Sequence, residues 1–151
     1  MNAIGLFRLS NFLYRHKIPF LPKIIKGVNF ILFNSVIPYS CVIGKKSKFA
    51  YGGIGVVLHS KSIIGEKVII GQNVTIGRQL DPMGVPRIGD NVYIAAGSRI
   101  LGDITIGSNV IIGANSVVIN SVPDNTIVAG VPAKVIKTTS VDIYTLLKNI
   151  Y

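Results

Sequence analysis

The sequence predicts an all-β solenoid of parallel strands with short helical extensions at both ends. Aliphatic residues recur every six positions from Leu58 to Val118, and glycine follows most of them. The step from Ile76 to Ile88 is the exception and spans twelve residues. A six-residue period fits neither a helix nor an alternating strand, but it fits short strands joined by tight corners. Each coil of such a chain buries its apolar face only by stacking on its neighbours, as a solenoid does.

The first 40 residues lack this period and carry aromatic and aliphatic side chains between cations. Pro19 and Pro22 interrupt the stretch, and because proline breaks a helix interior, we expect short helices around them. We therefore predict a helical cap over residues 1–40. Two roles fit this cap: it covers the open first coil, or it lies as a basic amphipathic surface on an anionic membrane.

Residues 41–137 hold the repeat and form the predicted solenoid domain. A small or β-branched residue stands two positions before each aliphatic residue and has to fit inside the coil. We expect the glycines to mark the corners, where they accept unusual backbone angles without a Cβ penalty. The last segment, residues 138–151, has the pattern of a short amphipathic helix.

The twelve-residue step encloses GRQLDPMGVPR, whose glycine, proline and polar residues indicate a loop. If this loop is extruded, Gly71, Ala95 and Gly113 share one corner column. If the coil continues regularly instead, His59 and Gly77 join Ala95 and Gly113. The repeat by itself leaves both arrangements open.

Composition excludes several classes of function. The chain has 16 Lys and Arg against 6 Asp and Glu, which gives a formal net charge of +10. This charge attracts any polyanion and therefore does not identify a particular partner. No RNA-binding or helix-turn-helix pattern appears, so we do not expect nucleic-acid binding. Cys41 is the only cysteine, so it forms neither an internal disulfide nor a cysteine zinc site. The N-terminal stretch does not have the pattern of a signal peptide. We expect a cytoplasmic protein, at the inner membrane surface if the cap binds lipid.

Two stretches carry a closer resemblance, IGDNVYIAAGSRILGDITIGSNVIIGANSVV and SVPDNTIVAGVPAKVIK. They resemble the hexapeptide-repeat acyltransferases, in particular the serine acetyltransferase-like group that includes O-acetyltransferases of bacterial polysaccharide assembly. The resemblance implies a left-handed parallel β-helix with three hexapeptides per coil. It also implies a homotrimer with active sites between subunits, and acetyl-CoA as co-substrate without a metal.

In this family the pantetheine arm of acetyl-CoA lies along small residues at successive corners, and the terminal coil holds the nucleotide. The alternative is that these residues only form corners and that the lysines are a solvated tail. The matching positions are Ala95, Ala96, Gly113, Ala114, Val131, Pro132, Ala133 and Lys134, with Lys137 as a second candidate for phosphate binding.

Acetyl transfer to a hydroxyl needs a base, and histidine is the usual one near neutral pH. Of the two histidines, His16 lies outside the repeat and His59 stands at a corner position. The family's two marker histidines match Tyr51 and Val85 here and are absent. Either His59 has become the base, which we favour, or the site is inactive and only binds. Tyr51, Arg78 and Asp81 are candidates for contacting the acceptor.

The sequence therefore predicts an O-acetyltransferase that acts on a hydroxyl, with a sugar of surface-polysaccharide synthesis as the first acceptor hypothesis. A serine O-acetyltransferase and an inactive binding or scaffold solenoid are the alternatives. A carbonic-anhydrase-like zinc enzyme is disfavoured because the solenoid holds only one histidine.

Overall fold

The computed structural model describes residues 2–80 and 83–148, in which short strands stack into three sheets between terminal helices. Two helices come first, α1 (Ala3–Arg15) and α2 (Leu21–Phe33). The first sheet contains β1 (Val42–Ile43), β4 (Ile63–Ile64), β7 (Arg87–Ile88) and β10 (Thr105–Ile106). The second contains β2 (Lys48–Phe49), β5 (Ile69–Ile70), β8 (Val92–Ile94), β11 (Val110–Ile112), β13 (Thr126–Gly130) and β14 (Ala133–Thr138). The third contains β3 (Val57–Leu58), β6 (Thr75–Gly77), β9 (Arg99–Leu101) and β12 (Val117–Val118).

The chain visits the three sheets in turn, so that each turn of the coil adds one strand to every face. Strands of successive turns pair in parallel, and only β13 and β14 pair antiparallel. The predicted parallel strands with short helices at the ends are confirmed. Because each strand is only a few residues long, its stability depends on the turn stacked on either side.

The repeated aliphatic side chains fill the interior, as predicted. All ten positions from Leu58 to Val118 are buried, and so are the small or β-branched residues two positions earlier. Some of these inner residues are serines, and Ser98 donates its hydroxyl to the Gly113 carbonyl of the next turn at 2.9 Å. This bond satisfies a buried polar group while linking two turns.

The repeat glycines serve a different purpose from the predicted one. The left-handed backbone angles at the corners belong mainly to asparagine and lysine, for example Asn73 with φ of 56° and Asn109 with φ of 58°. The glycine of the repeat, such as Gly71, is instead needed because a Cβ there would lie 2.7 Å from the backbone nitrogen of Ala96 in the next turn. The expectation of unusual dihedrals at these glycines was wrong, and at Gly71 crowding between turns excludes a side chain instead.

The segment between β6 and β7 is extruded from the coil. Paired residues in regular turns are eighteen positions apart, as Val92 and Val110 are, whereas Ile76 pairs with Ile100 across the loop, a step of twenty-four. The first of the two predicted corner arrangements is therefore observed. His59 does not join the column of Ala95 and Gly113.

Helix α1 lies across the open end of the first turn and satisfies its carbonyl groups. The guanidinium of Arg8 donates to the carbonyls of Ile43 and Gly44, and Asn11 donates to Tyr39 and Cys41. Burial raises the pKa of the Cys41 thiol to about 12, so this thiol stays protonated. The parts of the chain that the structure describes contain no helix long and apolar enough to cross a membrane.

A short helix, α3 (Ile143–Leu146), packs on the outer face of the second sheet. Its Ile143 is fully buried and forms an apolar cluster with Leu147, Ala50 and Ile69. The Asp142 side chain caps the helix by accepting the N–H of Tyr144 at 2.8 Å. The predicted helix of residues 138–151 is thus shorter in the described part of the chain, and residues 149–151 lie outside it.

Candidate active site

One corner of the coil is built almost entirely from small residues. Gly71, Ala95 and Gly113 directly follow the paired strands β5, β8 and β11. Ala129 occupies the equivalent register position within β13, so the four residues stack in one column. Their N–H groups donate to the turn above, for example Ala95 to Ile112 at 2.9 Å and Gly113 to Val128 at 2.8 Å. Half-buried Ala96 and exposed Ala114 extend the column outward by one position. We call these six residues the small-residue corner.

The two ends of the small-residue corner carry polar side chains. At the N-terminal end, Tyr51 follows β2 on a 3₁₀ turn (Ala50–Gly53) with φ of 48°, and 69% of it is exposed. At the C-terminal end, Lys134 pairs with Ala129 across β13 and β14, so the lysine stands beside the last residue of the column. The structure therefore brings Tyr51, the small residues and Lys134 to one edge of the coil.

The remaining residues predicted to bind acetyl-CoA lie close to the C-terminal end of the small-residue corner. Val131 and Pro132 are exposed and joined by a cis peptide bond in the turn between β13 and β14, and Ala133 begins β14 half-buried. Lys137 is exposed but pairs with Ile127, three residues further from the turn than Lys134. Lys134 is therefore nearer than Lys137 to the small-residue corner.

His59 occupies a different corner. Its N–H donates to the Ile76 carbonyl at 2.9 Å, and it belongs to the column of Gly77 and Leu101. This column accepts side chains, since a Cβ on Gly77 would make only ordinary contacts with the side chains of Leu101 at 3.8 Å and Thr75 at 3.9 Å. Space at this corner is the physical reason why a histidine is tolerated there.

Within residues 2–80 and 83–148, the His59 ring makes one local hydrogen bond. Its Nδ1 accepts the backbone N–H of Lys61 at 3.2 Å. A neutral imidazole that accepts at Nδ1 carries its proton on Nε2, and this assignment follows from the partner. The second ring nitrogen therefore presents a donor in this arrangement.

A cleft of about 310 Å³ opens beside His59 and reaches the extruded loop. It is lined by His59, Lys61, Arg78, Met83, Gly84 and Val85. Val85 is the position at which the family resemblance expects the second marker histidine, so His59 and that position share one cleft. We call it the His59 cleft.

Arg78, predicted to contact the acceptor, lines the His59 cleft and is exposed. Asp81, the other loop candidate, lies outside the described residues. Lys61 and Gly84 also line the cleft and were missed, because the sequence shows only that Lys61 is two residues from His59. Within residues 2–80 and 83–148, no group of three His, Cys, Asp or Glu side chains could hold a metal ion.

The chain resembles known proteins in both sequence and structure. Residues 86–120 match the family described as bacterial transferase hexapeptide (six repeats). The predicted resemblance to hexapeptide-repeat acyltransferases is confirmed. A search of curated proteins found no significant match.

Solved serine acetyltransferases superpose closely on the coil. The enzyme of Brucella abortus, in complex with coenzyme A, is 32% identical with a TM-score of 0.85 over 91% of this chain and 56% of its own. The Vibrio cholerae enzyme is 31% identical with a TM-score of 0.86 over 95% and 56%. The soybean enzyme, complexed with serine, is 34% identical with a TM-score of 0.81 over 89% and 56%. The chain thus spans a little over half the length of these enzymes.

Proposed function

We propose that the protein is an acetyl-CoA-dependent O-acetyltransferase whose strands coil as a left-handed β-helix and whose subunits assemble as a trimer. The observation that carries the proposal is the column of small residues from Gly71 to Ala129 with Lys134 at its end. Serine acetyltransferases of the same coil, one of them in complex with coenzyme A, support it.

The small-residue corner fits an extended ligand such as the pantetheine arm. The small-residue corner runs from Gly71 to Ala129 over three strand spacings of about 4.8 Å, so it is about 14 Å long, and the turn of Tyr51 adds a fourth spacing. No side chain larger than methyl projects from its six residues, which allows close approach of the ligand to the backbone. The ammonium group of Lys134 then supplies the charge for a phosphate at the far end.

The active site forms where the small-residue corner of one subunit meets the His59 cleft of the next. Within one chain these features lie on different corners of the coil. Two positions at which the family has a histidine lie at these features. Tyr51 stands at the end of the small-residue corner, and Val85 lines the His59 cleft. In the assembled site His59 stands beside Val85 and takes over the missing imidazole.

The reaction needs one proton acceptor. The acceptor hydroxyl oxygen attacks the thioester carbonyl carbon while His59 Nε2 takes the hydroxyl proton. The tetrahedral oxyanion then collapses, the C–S bond breaks, and the CoA thiolate leaves and takes the proton from the imidazolium. To act in this way His59 exchanges its tautomer and gives up the bond from Lys61, which costs about 1 kcal/mol.

Serine is the acceptor that the site supports best. Arg78 and Lys61 line the same cleft as His59, and a guanidinium binds a carboxylate through two parallel hydrogen bonds. A neutral sugar offers no such group. The soybean relative complexed with serine supports this choice.

A hydroxyl of a surface-polysaccharide sugar is the second candidate. The observation that favours it is the exposed phenol of Tyr51, which replaces a family histidine at the end of the small-residue corner. A phenol can stack on the apolar face of a sugar ring and donate a hydrogen bond to it.

Calorimetry with acetyl-CoA, followed by thiol release with serine, hexoses and amino sugars, tests the proposal. We expect acetyl-CoA to bind and serine to give the largest kcat/KM. Faster release with a sugar overturns the serine assignment while leaving the acetyltransferase. Absence of acetyl-CoA binding overturns the whole proposal.

The base role of His59 is tested by His59→Gln and His59→Asn. Glutamine keeps a donor near Nε2 and asparagine an acceptor near Nδ1, but neither takes a proton near neutral pH. We expect both to lower kcat by about 10² or more with an unchanged Kd for acetyl-CoA. If His59→Gln keeps most of its turnover, the residue acts as a hydrogen-bond donor and the base is elsewhere.

A further inference from the structure

Helix α2 carries an apolar stripe that the described chain leaves exposed. Its packed face consists of Pro22, Asn29 and Phe33. The opposite face carries a stripe at helical spacing in which Ile24 is 59% and Ile31 80% exposed, and its members are Leu21, Ile24, Val28 and Ile31. A surface helix of a globular protein normally places polar residues there. This helix is apolar on both faces, so its outer face is suited to an apolar environment.

The turn between α1 and α2 extends the same surface. Phe20 is 80% exposed at its tip, and both Lys17 and Phe20 adopt left-handed angles with φ of 57° and 63°. This conformation is unfavourable for residues with a side chain. Beside the tip lies an apolar cleft of about 640 Å³ with a cationic rim, lined among others by Tyr14, Ile18, Phe20, Lys17, Lys23 and Tyr39.

Charge decides which partner fits this surface. The first acidic residue of the chain is Glu66, whereas the first 40 residues contain five Lys and Arg. Arg15, Lys17 and Lys23 are exposed near the turn, and Lys26 is half-buried. A second copy of the hairpin would place cations against cations, while an anionic lipid surface complements both the cations and the apolar stripe.

We propose that the hairpin of α1 and α2 docks on the surface of an anionic lipid bilayer, with the Leu21–Ile31 stripe and Phe20 in the headgroup region. At thirteen residues, neither helix is long enough to span the hydrocarbon layer. The hairpin therefore lies in the interface plane, and Tyr14 and Tyr39 flank it with amphipathic rings. The proposal does not depend on acetyl transfer.

Co-sedimentation of the full chain with vesicles tests docking. Vesicles of phosphatidylcholine with about 30% phosphatidylglycerol are expected to bind the protein, and pure phosphatidylcholine at least about tenfold less. High salt is expected to weaken the binding. Ile24→Ser combined with Ile31→Ser is expected to reduce it about tenfold, as is Lys17→Gln with Lys23→Gln. Ile63→Ser is the matched control, because Ile63 is 45% exposed on strand β4 outside the hairpin.

A single tryptophan reports insertion directly, because the chain contains none. In a Phe20→Trp variant, we expect the emission maximum to move to shorter wavelength on anionic vesicles. In an Ile63→Trp variant we expect no movement. Equal binding to both vesicle types overturns the anionic requirement. Failure to bind, together with a smaller oligomer for the Ile24→Ser and Ile31→Ser variant, overturns the proposal in favour of a second copy of the chain.

Discussion

Gly71 and Gly77 occupy equivalent places in the repeat but meet different surroundings. A Cβ on Gly71 would approach backbone atoms of Ala95 and Ala96 in the next turn to 3.0 Å or less. A Cβ on Gly77 would find its nearest neighbour at 3.8 Å, which is ordinary van der Waals contact. The same sequence signal therefore reflects crowding at one corner and free space at the other.

We expect Gly71→Ala to lower the free energy of unfolding by about 1–3 kcal/mol, because backbone atoms have to move to admit the methyl group. Gly77→Ala is expected to leave it unchanged or raise it by about 0.5 kcal/mol through the loss of backbone freedom in the unfolded chain. Equilibrium urea unfolding at one protein concentration measures both. Equal losses for the two variants would contradict the crowding argument.

His59 is tolerated for the same reason that Gly77 is dispensable. Its column holds Gly77 in the next turn and Leu101 in the turn after that, so a side chain at this corner projects without striking the coil. The Lys61 N–H then orients the ring. A residue that departs from the glycine pattern is thus a candidate for function because the scaffold does not require it.

At the scale of elements, the loop between β6 and β7 is the addition that creates the His59 cleft. Arg78, Gly84 and Val85 belong to the loop, while His59 and Lys61 belong to the turn that precedes it. The loop leaves the strands on either side paired with their normal neighbours, β9 and β4. A rigid coil therefore carries an extruded loop beside His59.

Deleting residues 79–84 would shorten the twenty-four-residue step to the eighteen of a regular turn. Because the coil then continues in register, we expect the free energy of unfolding to change by only about 1 kcal/mol. Transfer to serine is expected to fall at least about a hundredfold through loss of acceptor positioning, with acetyl-CoA binding retained. Calorimetry and thiol release measure the two effects. Normal turnover in the shortened protein would show that the loop does not contribute to the active site.

The α1 helix covers the open end of the coil. The first turn would expose carbonyl groups and an open strand edge, which invites association. Arg8, Asn11 and Asn2 bind those carbonyls, the last at Phe49 at 2.9 Å. The helix thus covers the end of the coil, while α2, packed on α1, leaves its outer face free for the proposed lipid contact.

At the scale of the whole molecule, an active site shared between subunits predicts that two inactive variants regain activity when their subunits are mixed. A site within one subunit predicts no such recovery. His59→Ala removes the proposed base, and Ala114→Trp places a bulky ring on the small-residue corner. Each variant alone is expected to be inactive. When subunits are mixed in equal amounts after dissociation and reassembly, about a quarter of the interfaces in a cyclic trimer combine two intact halves.

We therefore expect the mixture to recover about a quarter of the wild-type thiol-release rate. Reassembled wild-type protein is the reference, and each reassembled variant alone is the background. Sedimentation equilibrium checks that the assembly has three times the subunit mass of 16.2 kDa. A mixture no more active than its components would show that each site lies within one subunit.

The sequence by itself determined the parallel coil, the buried aliphatic column from Leu58 to Val118 and the resemblance to hexapeptide-repeat acyltransferases. These follow from local rules, because the six-residue period repeats in every turn and specifies which side chain points inward. The stacking of Ala95 on Gly113 was predictable for the same reason, since they are eighteen residues apart.

Only the tertiary structure decided that the loop is extruded, that His59 leaves the small-residue corner, and that His59 shares a cleft with Val85 and Lys61. A twelve-residue step has two registers that satisfy the same hydrophobic pattern, and only strand pairing distinguishes them. Likewise, the reason for each glycine depends on atoms in the next turn. Such contacts join residues far apart in sequence, and the hexapeptide period carries no information about them.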